Sequence, residues 1–136
     1  MTLPRHPVIY NGDINCRADY EGLQSRFPQI KTWMIGRGVI MDPYLPCSIK
    51  WPREDSGDRI RRFRAFHDRL FEQYQAALSG PVHLLDRMKG LWRYFSEGFE
   101  NGRDIRKRIH KSTRLESYRD VVLRYFDGQP VRMDRR

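Results

Sequence analysis

The chain has 136 residues, enough for one domain or two small units. No apolar run approaches the ~20 residues of a membrane helix, and the start, Met1-Thr2-Leu3-Pro4, has no signal-peptide pattern, so a cytoplasmic address is the expectation. Aromatic residues at 12% argue against disorder, and 26 basic against 17 acidic residues, a net charge of +9, point to a polyanionic partner, nucleic acid first.

In chain order, Pro7-Val8-Ile9-Tyr10 reads as a strand closed by Gly12. Asn15 is placed to cap a helix whose apolar stripe is Tyr20, Leu23 and Phe27, recurring at intervals of three and four. Pro28 stops it, because proline lacks an amide and restricts the residue before it. Residues 30–35 form a second strand, closed by Gly36-Arg37-Gly38. Strand, helix and strand within some thirty residues is a βαβ unit, whose strands pair in parallel. Asp42-Pro43 reads as a cap and a first-turn proline opening a short helix. The polar, proline-rich stretch from Pro46 to Gly57 contains a linker at 51–56.

Beyond it the period becomes helical. Ile60, Phe63, Phe66, Leu70, Phe71, Tyr74 and Leu78 mark one face of a long helix, with Arg61, Arg62 and Arg69 opposite. Ser79-Gly80-Pro81 breaks it. A second helix uses Leu84, Leu85, Met88, Leu91, Trp92, Phe95 and Phe99 and ends near Asn101-Gly102. A third is short and basic. Thr113 and Glu116 have capping-box spacing and open a last helix with Leu115, Tyr118, Val121, Val122 and Phe126 inside, ended by Gly128. Short connections favour antiparallel neighbours, so 57–128 is expected to be an all-α helical bundle, followed by a frayed basic tail at 129–136.

A strand ending in a glycine turn exposes backbone N–H groups, and two such turns on adjacent parallel strands can grip one phosphate from two sides, as after the seventh and eighth strands of many (β/α)8 barrels. Gly12, Gly36 and Gly38 let the backbone approach, and Arg37 adds charge-assisted hydrogen bonds. Cys16 and Cys47 lack CxxC spacing and read as free thiols. His67, His83 and His110 have no metal-ligand spacing and read as surface or interface residues, so no metal is expected.

At these residues the chain resembles a known family. "PVIYNGDI" followed by "WMIGRGVIMDPYL" looks like the end of the barrel in tRNA-dihydrouridine synthases, which carry a "pvianGdi" stretch and then a "vMiGRgal.nPwl" stretch. "RMKGLWRYFSEGF", residues 87–99, resembles a Lys-rich, Trp/Tyr-containing helix of the same family. The resemblance is close over 7–45 and looser over 57–127. It implies an α+β fragment. Residues 1–50 would be a βαβ remnant, strands 7 and 8, of an FMN-binding (β/α)8 TIM barrel, with a tRNA-binding helical domain after the linker. The family reduces a uridine in tRNA to dihydrouridine, with NADPH reducing the flavin. By resemblance, Asn11, Gly12 and Asp13 would lie on the phosphate and ribityl side of FMN, and Gly36 and Arg37 would bind its phosphate. The family's catalytic cysteine, and the lysine and histidine that contact flavin and substrate, belong to earlier strands. Neither Cys16 nor Cys47 matches, so the expectation is a truncated member without catalytic residues, inactive alone. Its open strand edges, and the apolar faces of Val8, Ile9, Met34 and Ile35, would favour self-association or leave the strand region poorly ordered.

For RNA, Arg61, Arg62 and Arg69, with Arg103, Arg106, Lys107, Arg108 and Lys111, form a candidate phosphate-contacting patch, and Lys89 and Arg93 flank the aromatic face of the second helix. Trp92 and Phe95 read as core by their spacing, whereas Tyr94 falls off that stripe and is the better stacking candidate. The alternatives to a reductase fragment are a stand-alone basic RNA-binding helical module and an unrelated helical interaction protein whose glycines serve only as turns.

Overall fold

The computed structural model describes residues 6–52 and 58–128, which fall into two compact units on either side of the gap. Most of the expected linker and all of the basic tail lie outside the described residues.

In the first unit, β1 (Ile9–Asn11) and β2 (Thr32–Met34) pair in parallel, with Ile9 opposite Thr32, Tyr10 opposite Trp33 and Asn11 opposite Met34. Helix α1 (Arg17–Arg26) makes the crossover. Side chains alternate across a strand. Tyr10 and Trp33 therefore turn to one face, where their rings lie 5.1 Å apart, with Phe27 5.9 Å from Tyr10 and Tyr20 5.4 Å from Trp33. The opposite face carries Ile9 and Met34, which remain exposed.

Two short helices follow, α2 (Arg37–Met41) and α3 (Leu45–Lys50). The expected cap at Asp42 takes another form. Asp42 ends α2, its carboxylate accepts from the Tyr44 N–H two residues on, and α3 starts only at Leu45. Asn15 does not cap α1 with its side chain. Cys16 holds the cap position, and Asp19 reaches back to accept from the backbone N–H groups of Asn15 at 2.9 Å and Cys16 at 3.1 Å. The Asn15 amide is the foremost reason that the Asp19 carboxyl lies below its ordinary pKa.

The second unit is all helical: α4 (Arg59–Ala77), α5 (Pro81–Phe95), a single 3₁₀ turn (Ser96–Gly98), α6 (Gly102–Lys111) and α7 (Leu115–Asp127). Asp58 caps α4 by accepting from the Arg61 N–H. Gly80, at φ +89, makes the left-handed turn that a side chain would resist, and Pro81 then starts α5. The second helix ends sooner than its apolar pattern predicts. Gly102 explains this: a Cβ there would meet the Ser96 carbonyl oxygen at 1.6 Å, so the start of α6 lies directly on the 3₁₀ turn. Residue 102 opens a helix rather than ending one. Likewise α7 is capped by Arg114 without a side-chain bond, and the Thr113–Glu116 box does not form.

Helix α4 packs on α5, α5 on α6 and α7, and α6 on α7. The centre is aromatic. Phe63 meets Phe95 at 5.1 Å and Phe99 at 4.9 Å, both edge to face, and Trp92 meets Phe95 at 5.7 Å in the same way. Such pairs add about 0.5–1.5 kcal/mol each beyond the area they bury. Phe63, Met88 and Trp92 are wholly buried.

Candidate functional site

The two glycine turns lie next to one another. Parallel pairing with Asn11 opposite Met34 sends both strands out at the same edge of the sheet. After β1, Ile14 N–H donates to the Gly12 carbonyl in a tight turn, and Ile14 is buried. After β2, Gly36 caps α2, so the first residue of that helix is Arg37. The turns touch at Gly38, where a Cβ would stand 2.0 Å from the Ile14 carbonyl oxygen. Only glycine allows that approach. A Cβ at Gly36 would meet nothing within 4 Å, so the backbone there is open on its outer side.

Asp13 and Arg37 complete the link. The guanidinium Nη2 donates to Asp13 Oδ1 at 2.5 Å, with the two side chains 71% and 64% exposed. An ion pair this exposed contributes about 0–1 kcal/mol. An incoming phosphate, with more charge and three acceptor oxygens, competes well for the same guanidinium. The structure thus brings together Asn11, Gly12, Asp13, Gly36 and Arg37.

Helices α4, α5 and α6 each carry basic residues of the helical unit. Arg61 and Arg69 are exposed on the outer side of α4, with Arg62 half-buried on its flank. On α5, Arg93 is exposed and Lys89 half-buried. The densest group is on α6. Gly102, Ile105 and Ile109 are buried, while Arg103, Arg106, Lys107, Arg108 and Lys111 are all exposed. By helical periodicity Arg103, Arg106, Lys107, His110 and Lys111 share the outer stripe, and Arg108 borders it.

Sequence reasoning missed one polar cluster. His67, read as a surface or interface residue, is buried. Its Nε2 lies 2.6 Å from Tyr118 Oη, and its Nδ1 lies 2.9 Å from Asp68 Oδ1. The Trp92 indole N–H donates to the same Tyr118 oxygen at 2.8 Å. Tyr118 Oη accepts from the indole; the Asp68 carboxylate can only accept, so the neutral His67 ring holds its proton on Nδ1 and its Nε2 accepts from the Tyr118 hydroxyl. Burial holds the His67 pKa below the ordinary histidine value, against the pull of Asp68, and burial raises that of Tyr118. The signal for His67 was its place midway between Phe63 and Phe71, four residues from each. Trp92 and Phe95 are core, and Tyr94 is half-buried. His83 and His110 are exposed.

Cys16 and Cys47 are free thiols. Among the described residues no group of three His, Cys, Asp or Glu side chains could hold a metal ion, and no helix is long and apolar enough to cross a membrane. No protein family, curated protein or solved structure matches the chain.

Proposed function

We propose that this chain carries the phosphate side of a flavin site and the RNA-binding helical domain of a tRNA-dihydrouridine synthase, a cytoplasmic enzyme that reduces uridine in tRNA with FMN and NADPH. The observation that supports this best is the parallel β1–β2 pair, whose two glycine turns sit side by side and are linked by the Arg37–Asp13 ion pair. Gly12 and Gly36 would bring main-chain amides to the phosphate, and Asn11 and Asp13 would face the ribityl side. Arg37 would exchange its Asp13 partner for phosphate oxygens. When bound, the flavin would supply the hydride that reduces the uracil ring.

These residues fit the phosphate end of FMN. They do not enclose its ring: Ile9 and Met34, on the uncovered face of the strand pair, are 58% and 55% exposed. Binding by this chain alone is therefore weak, and catalysis needs residues that the family places in earlier barrel strands. The same uncovered face and the open strand edges favour pairing with a second copy.

A second reading, a basic RNA-binding helical module without catalysis, is favoured by the separateness of the helical unit, which holds its own aromatic core. Both readings place tRNA on the helical domain, with the α6 stripe as the densest phosphate-contacting surface. A filter-binding titration of tRNA against salt tests the shared part. Affinity falls steeply with salt, and Arg106→Glu with Lys107→Glu lowers both affinity and salt slope. No binding at low salt removes the RNA claim. Flavin absorbance after equilibration with FMN separates the readings: a weakly bound yellow species supports the flavoenzyme fragment, and none supports the module.

A further inference from the structure

Helix α5 carries a feature that neither the flavin site nor the α6 stripe uses. An open groove of about 550 Å³ lies along its outer side, and Leu78 from the end of α4 is part of its lining. That volume is within the range of small-ligand sites. Gly90, exposed and in the middle of a fifteen-residue helix, lines it. Glycine is a poor residue there, since it loses more backbone freedom on folding than alanine and adds no packing. Nothing in the fold requires it, because a Cβ at Gly90 would meet no atom within 4 Å. The missing side chain leaves bare backbone on the groove wall, where a flat group can come close.

The neighbours suit one kind of occupant. Tyr94, one turn on, offers a half-buried ring as a stacking surface. Arg87 lies at the groove with its guanidinium 5.8 Å from the centre of the Tyr74 ring on α4, a cation–π contact that holds it in place. Asp86 adds acceptor oxygens of the type that pair with the amino edge of a base. Leu91 supplies apolar wall.

We propose that this groove holds an unpaired RNA base, stacked on Tyr94 over the bare backbone of Gly90, with Arg87 on the adjoining phosphate. The net charge of +9 and the exposed Arg93 on the same helix match the charge of such a strand. The inference rests on the RNA reading given above and adds to it a site that distinguishes unpaired from paired RNA.

The test uses the full chain, a single-stranded RNA decamer and a duplex of the same length, in filter-binding titrations at low salt. The wild type binds the single strand more tightly than the duplex. Gly90→Ala weakens single-strand binding at least fivefold while raising the melting temperature, because alanine is the better helix residue. A purely structural glycine would give the opposite thermal shift. Tyr94→Ala weakens the single strand by a similar factor and leaves the duplex unchanged. Equal binding of both RNAs, or single-strand binding unaltered by Gly90→Ala, overturns the groove while leaving the α6 stripe intact. Failure of the wild type to bind either RNA overturns both.

Discussion

The two units solve the same problem to different extents. Among the described residues the helical unit buries twelve apolar side chains, from Phe63 to Val122, whereas the strand unit buries two, Ile14 and Leu45. Its aromatic cluster of Tyr10, Tyr20, Phe27 and Trp33 stays half-exposed, and α1 has no buried residue. Parallel strands are ordinarily covered on both faces. Here one face is covered by α1, and Ile9 and Met34 on the other are open. The helical unit closes around its own apolar core, while the strand unit leaves one apolar face in solvent.

Removing a central aromatic should have the largest effect. Trp92→Ala takes away a wholly buried ring and the hydrogen bond to Tyr118, at about 3–5 kcal/mol. Circular dichroism should show most helix lost or the melting transition far lowered. The matching change in the strand unit, Trp33→Ala, should leave that transition nearly in place, since its ring is half-exposed.

Next in size is the close approach of the two turns. Gly38→Ala sets a methyl against the Ile14 carbonyl, an overlap that costs about 1–3 kcal/mol and should loosen the strand unit. Gly36→Ala meets open space and serves as the control. Amide hydrogen exchange at Tyr10 and Trp33 reads both, with faster exchange expected for Gly38→Ala alone.

Smaller, and confined to the helical unit, is the acid response of His67. The buried ring is neutral, with its pKa depressed below the ordinary value of 6.5. The unfolded chain therefore takes up this proton first, and the stability is complete above pH 6.5 and declines as pH falls toward the folded-state pKa. Urea midpoints measured from pH 7.5 to 5 should drop in the wild type and flatten in His67→Gln. Asp19 in the strand unit keeps its contribution through this window, because its lowered carboxyl pKa places the loss below the ordinary value of 3.8.

The smallest change in stability is expected at the uncovered face. Ile9→Lys should alter it by no more than about 0.5 kcal/mol, as for other exposed positions. Sedimentation should nevertheless respond: the wild type is expected to associate as concentration rises, and Ile9→Lys to remain a monomer.

Much of this organisation was legible in the residues. Two apolar runs ended by glycine turns at βαβ spacing, with Pro28 stopping the crossover helix, led to the parallel pair. Regular aromatic spacing marked the core faces of α4 and α5. The misread details depend on partners that lie outside any local pattern. His67 is buried because Tyr118, 51 residues away, and Trp92 complete its hydrogen bonds. Asp42, Asn15 and Thr113 were expected as caps from residue type. Backbone geometry gave the cap positions instead to Tyr44, Cys16 and Arg114. The early end of α5 follows from Gly102 lying against Ser96, a contact between chain segments that apolar periodicity does not contain.

The claim on which the functional account turns is that both glycine turns face one phosphate. Amide chemical shifts of the full chain, recorded during titration with FMN, inorganic phosphate and riboflavin, test it directly. Shifts centred on Gly12, Asp13, Gly36 and Arg37 are expected with FMN and with phosphate, and none with riboflavin, which lacks the phosphate group. Equal responses to riboflavin and FMN, or turns that stay silent at millimolar FMN, would contradict it.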